Sequence, residues 1–383
     1  MPDNISEEIA DKYVSHTVDL SRFEVDVRNK ALNFLNLLEI ATTEEIKRID
    51  PTGVLSQSAQ IKRLNALIVT VNAIAVPAYT GSKTVTESNL RKLVPVEGQF
   101  VARTINGAVG VDIALVRFTP ELINTIVSDT LIEGAPSRAW WARQSVNYRN
   151  KFADEMRLGV GLGEDINTLS RRVRGTATGQ RRTVVLPNGD KKRVSVFKGG
   201  FMDTTRRQAD ALVRTSVETI ANEARLESYR QNDDIIEGVQ ALVTLDTRTS
   251  AICIARSGAV WSLDGKPISG TTESFPGPPA WHWQCRSTLI PILKDFNKLT
   301  REVNKTKKNQ LEALPKSTQS SINGQVAEDL TYQQWLRTQS KSKQIDVLGP
   351  GKFKLWDEGK LNLTQLINQD GRPLTLTEIE ARI

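Results

Sequence analysis

The chain has 383 residues, 39% of them hydrophobic, and a net charge of +7; at about 100–200 residues per domain this is too long for one ordinary core and implies two or three folded segments. It shows no uninterrupted run of about 18 apolar residues, and Met1 to Glu8 does not read as a secretory leader, so neither a membrane anchor nor export is expected and the protein should be made in a cytoplasm. Two cysteines exclude a disulfide framework but leave room for one bridge or one metal site.

The first 160 residues read as helices joined by short breaks. Apolar residues recur at three and four, as in Ala31, Leu35 and Leu38, then Leu64, Leu67, Ile68 and Val71. Thr119-Pro120-Glu121 has the composition of a helix start: a capping hydroxyl, a proline where no N–H is needed and an acid at the positive end. Ser137 opens a further helix through Trp141, Tyr148, Phe152 and Met156, which ends near Gly159 to Gly163. A short amphipathic helix follows, with Ile166, Leu169 and Val173 on one face. His16 is expected at the surface.

Residues 183–186 and 193–197 alternate as two strands around Asn188-Gly189, a strong hairpin signal. Between Arg171 and Arg214 stand twelve Lys or Arg against three acids, an excess greater than the whole chain's net charge. The hairpin is therefore expected to project from the body with Arg181, Arg182, Lys191, Lys192, Arg193 and Lys198 available to phosphate, a basic solvated ribbon being the plainer alternative. A long helix is expected over 203–229, then strands at 240–245, 259–263 and 287–293. Residues 294–309 read as a basic linker or exposed helix. The tail carries a capping start at Thr331, a stop at Gly349-Pro350, and a second capping box at Thr377 to Glu380.

The fold class is thus α+β: a helical region over 1–135, a helix-plus-small-sheet domain over 136–295, a basic linker over 296–330, and a short helical docking tail over 331–383. Chemistry concentrates in one 33-residue stretch that holds both cysteines and one of the two histidines: Cys253, His282 and Cys285. Three readings stay open. The three side chains hold zinc, with Asp246 or water as fourth ligand; or the cysteines form a bridge worth about 3–4 kcal/mol in the loop-entropy picture; or both thiols are small buried hydrophobes beside Trp261, Trp281 and Trp283. In each the site is structural. Asp246 suits a turn cap paired with an arginine better than a general base, because no second carboxylate is spaced to work with it. Phosphate-loop, HExxH and GxSxG patterns are absent from the sequence, so no enzyme is expected.

Three blocks resemble the phage head morphogenesis family, the Mu F-like minor head proteins. They are Arg214-Thr-Ser-Val-Glu218 with Asn222, Arg225 and Tyr229; Leu245-Asp246-x-Arg248-Thr249-x-x-x-Cys253 with Trp261, Pro278-Pro279 and His282-x-x-Cys285-Arg286; and a tail pattern from Tyr332 and Trp335 to Asp370-Gly-Arg-Pro-Leu-Thr-Leu376. Where the family often shows two further cysteines, this chain has Ser250 and Ser287, whose joint departure suggests that the two positions are neighbours. The resemblance implies a low-copy head protein. Such proteins associate with the portal, with scaffold or with major capsid protein during assembly, reside in the virion, and act in genome packaging or ejection, with electrostatic contact to phage DNA. The alternative is a metal-dependent, nuclease-like enzyme built on the Cys/His site.

Overall fold

The computed structural model describes residues 5–48, 57–322, 331–368 and 371–383. The end of the expected linker and Asp370 of the tail pattern lie outside them.

Two long helices open the chain, α1 (Ile5–Arg48) and α2 (Gln57–Val109). Pro77 and Pro95 lie inside α2 without ending it. Each removes an N–H donor at a cost of about 3 kcal/mol, which is offset where Val71, Ala75, Tyr79, Val94 and Val101 are buried. The stretch from Ala59 to Val109 is long and apolar enough, by length and composition alone, to cross a membrane, and a third of its most apolar window is buried in the fold. The expectation based on an uninterrupted run missed it because Thr70 and Asn72 interrupt the apolar residues without adding charge.

After α3 (Pro120–Asp129) and a two-residue hairpin of β1 (Leu131–Ile132) and β2 (Ala135–Pro136), α4 spans Ser137–Gly161 and α5 Ile166–Arg174. Asp165 caps α5 by accepting from the Thr168 amide. The expected hairpin is present and longer than its apolar core suggested: β3 (Gly175–Val185) pairs antiparallel with β4 (Lys191–Gly199). Gly189 takes φ 88° in the turn, a left-handed conformation that glycine adopts at no steric cost.

Helix α6 (Phe201–Arg230) precedes a four-stranded antiparallel sheet ordered β7-β6-β5-β8, from β5 (Ile236–Leu242), β6 (Val260–Ser262), β7 (Pro267–Ile268) and β8 (Thr288–Leu293). Helix α7 (Ala251–Arg256) lies between β5 and β6 in sequence. The segment read as a basic linker or exposed helix is helical, over α8 (Phe296–Glu302), α9 (Lys305–Glu312) and α10 (Lys316–Ser321). Leu299, Leu311 and Ile322 enter the core with the sheet, and these widely spaced apolar residues were too few to register as a periodic pattern. The tail forms α11 (Tyr332–Thr338), α12 (Lys341–Leu348), α13 (Pro350–Asp357) and α14 (Leu376–Glu380). Pro350 starts α13 as well as following the stop at Leu348. The last capping box is made by Thr375 with Glu378, two residues earlier than expected.

By contact the chain forms two compact units, one of Met1–Leu20, Leu93–Ile126 and Glu218–Ile383, the other of Ser21–Lys92 and Val127–Val217. This division is spatial and cuts within helices, whereas the segments read from sequence run along the chain. In the second unit, Tyr148 shares a 2.8 Å hydrogen bond with Thr42 and packs against Tyr79 and Phe201. Glu39 there is buried between Arg206 and Arg182.

In the first unit, α6 is fixed to the sheet by polar bonds. The Asn222 amide donates to the Ser287 carbonyl while its Oδ1 accepts from Thr288 and from the Leu289 amide. Tyr229 donates to the Leu289 carbonyl at 2.9 Å. Arg225 and Glu97, both 1% exposed, form an ion pair at 2.7 Å, and Arg225 also donates to Thr288. His16 joins this network through Glu97 at 3.0 Å and stacks on Phe100 at 3.8 Å, so the expectation of a surface histidine is corrected. Neither Glu97 nor Phe100 is near it in sequence.

Candidate metal centre and basic hairpin

The Cys/His stretch folds back on itself. Leaving β5, the chain turns at Asp246, whose carboxylate accepts from the Arg248 amide and from Thr249. Ser250 then caps α7, its Oγ accepting from the Cys253 amide at 3.3 Å, so Cys253 lies in the first turn of the helix. On the returning segment, Gln284 takes φ 61°, and the Cys285 amide donates to the His282 carbonyl at 3.1 Å. A non-glycine residue in that conformation is held there by its surroundings, and here the turn places both His282 and Cys285 against α7.

The Cys253 sulfur lies 3.1 Å from His282 Nε2 and 3.6 Å from the Cys285 sulfur, and all three ligand atoms fall within 4.8 Å of one another. A sulfur separation of 3.6 Å is too long for a disulfide of about 2.0 Å; both cysteines are free and buried. Tetrahedral zinc with bonds of about 2.3 Å to sulfur and about 2.0 Å to nitrogen spaces its ligands at about 3.5–3.8 Å. The cluster therefore needs only small adjustments to accept such an ion. His282 Nδ1 is 2.9 Å from the Trp283 carbonyl, which favours the proton on Nδ1 and turns the basic Nε2 toward Cys253.

The two thiols are not equivalent. Hydrogen bonding from Cys285, with help from Ser287, Ser250 and the Arg256 charge, lowers Cys253 to about 7 against the opposing effect of burial. Cys285, the donor in that bond and itself buried, is pushed up to about 12. The pair thus holds one readily lost proton and one strongly held one, and a bound cation would displace both.

Asp246 does not join the three. Arg286 grips its carboxylate with two bonds of 2.6 and 2.9 Å and holds it down at about 2. As a fourth ligand it is thus replaced by the turn-capping, arginine-paired role. Among the described residues no other Cys, His, Asp or Glu joins the group. Glu218, partly buried and raised to about 8 chiefly by burial, is held by Asn222. Arg214 pairs with Glu24 and Asp210, Arg248 is 81% exposed, and Pro279 is buried. Ser250 and Ser287 do come together: both line a cavity of about 30 Å³ with Cys253, His282, Arg248 and Arg286. Arg256, which sequence reasoning missed, is buried against Glu273 and over Trp281.

Residues 150–290, from α4 to β8, match the family model described as phage Mu protein F like protein. The chain carries a domain of the phage Mu F-like, head morphogenesis family. No curated protein and no solved structure matches the chain. The family domain contains every ligand of the cluster and the Asn222 and Arg225 side chains that fix α6 to the sheet.

The same domain carries the basic hairpin. Arg181, Lys191, Lys192, Arg193 and Lys198 are exposed. Arg182 differs, because it donates to buried Glu39 at 2.9 Å and serves the fold. One edge of the hairpin is tied to α1, where Asn33 exchanges two hydrogen bonds with the Val185 backbone. Beside it, Arg174, Arg181, Lys192 and Arg193 line a groove of about 300 Å³ with Lys47 and Glu44.

Proposed function

We propose that this phage head-related, virion-associated protein acts in head assembly by binding the portal protein on the inner side of the procapsid, and takes part in genome packaging or ejection. The observation that carries the reading is the family match over 150–290, which coincides with the folded segment containing the cluster and the hairpin. In this reading the protein is not an enzyme. The cavity beside the cluster, about 30 Å³, has room for a water molecule and not for a nucleotide. The paired Asp246 and buried Arg225 are committed to internal contacts. Zinc at Cys253, His282 and Cys285 would tie α7 to the segment before β8, a structural task. The exposed hairpin cations supply sequence-independent contact with DNA phosphates.

Co-purification with the portal protein tests the assembly role. Stable co-elution on size exclusion supports it; separate elution together with metal-dependent DNA cleavage abolished by His282→Ala would replace it with the nuclease reading.

A further inference from the structure

Among the described residues three good metal ligands meet and no fourth joins them. Thiolate, thiolate and imidazole come from Cys253, Cys285 and His282. Tetrahedral preference requires a fourth donor, and structural zinc sites take it from a fourth Cys or His. Asp246, the carboxylate that the sequence offered as fourth ligand, is engaged on both oxygens by Arg286. What stands beside Cys253 instead is a pair of hydroxyls, Ser250 and Ser287, on the wall of a cavity of about 30 Å³. A cavity needs about 10–15 Å³ to hold one water, and this one has polar walls. The charge on those walls is also informative: Arg248 and Arg286 line the cavity against the single carboxylate of Asp246.

We infer that the centre is a three-ligand site whose fourth position faces the Ser250/Ser287 cavity and is filled from outside the chain, by water or a small anion. The inference rests on the reading of the cluster as a metal centre and adds to it an exchangeable position. Two thiolates and one neutral imidazole balance a divalent cation, so an added anion leaves an excess negative charge that the arginine side of the cavity compensates. The cavity size limits the ligand to a few atoms.

The experiment uses the full chain loaded with Co²⁺, whose visible absorption reports its coordination, and azide as the anion. Wild type is expected to change its spectrum on azide addition. Ser250→Cys, which places a sulfur where the hydroxyl now bonds Cys253, is expected to show no azide response and to lose metal to a chelator at least about tenfold more slowly. Ser287→Cys serves the same purpose from the other wall if the first variant does not fold. Wild type that binds Co²⁺ but ignores azide would overturn the open position while leaving the metal centre standing. Wild type that retains neither Co²⁺ nor Zn²⁺ would overturn both.

Discussion

At the scale of single residues, the polar side chains of the family pattern are mostly occupied with holding the fold. Arg225 is the clearest case, fully buried against Glu97 and Thr288, with Tyr13 and Phe100 around it. Removing one member of a buried pair leaves an uncompensated charge at a cost of about 3–5 kcal/mol. Arg225→Met should therefore lower unfolding free energy in urea by that amount, and adding Glu97→Gln should recover a large part of it; equal losses in single and double variants would show that the pairing is not what matters. Asp246 gives a pH prediction. Its carboxyl sits at about 2, below the ordinary carboxylate range, because Arg286 stabilises the ionised form. A depressed acid stabilises the fold above about pH 4, and that contribution is lost as pH falls through about 2. With the side chain 31% exposed, solvent screening limits it to about 1–2 kcal/mol. The stability gap between wild type and Asp246→Asn should shrink from pH 5 to pH 2, and a gap constant over that range would rule out the charge as its origin.

At the scale of elements, the hairpin separates cations that face solvent from one that does not. Each phosphate contact contributes about 0.9 to the slope of log affinity against log salt. If Lys191, Lys192 and Arg193 touch DNA, their joint replacement by Ala should flatten that slope by up to about three in a fluorescence-anisotropy titration. Arg182→Ala should instead reduce thermal stability with little change in slope, since its guanidinium serves Glu39. An unchanged slope in the triple variant would move the patch to a protein partner. The hairpin was legible in the sequence because Asn188-Gly189 is a local signal, and α5 because its apolar face repeats within nine residues. Arg182's role was not legible, since Glu39 stands 143 residues away. The packing of α8 to α10 into the core was not legible for a similar reason: their few apolar side chains gain meaning only from a core built elsewhere in the chain.

At the scale of the whole chain, the tail completes the core that holds the candidate centre. Tyr332, Leu336, Leu348, Trp356, Leu363 and Leu374 bury themselves in one cluster with Cys253, Ile254 and Cys285. Tyr332 alone makes two bonds back to the site, donating from its hydroxyl to the Asp246 carbonyl and from its amide to Ser257. The sequence marked the cysteines and the tail as separate features; their packing together depends on side chains nearly a hundred residues apart. This union has a measurable consequence. Without residues 331–383, α7 would present Cys253 and Ile254 to water, and attack on the thiols would no longer require local opening. A chain ending at residue 330 should be alkylated at Cys253 and Cys285 at least about tenfold faster than the full chain under native conditions, while Tyr332→Phe, which loses one hydrogen bond of about 1 kcal/mol, should shift the rate only a few-fold. Alkylation unchanged by truncation would mean that the central segment shields its cysteines without the tail, and that the tail's packing is an addition to a core already closed.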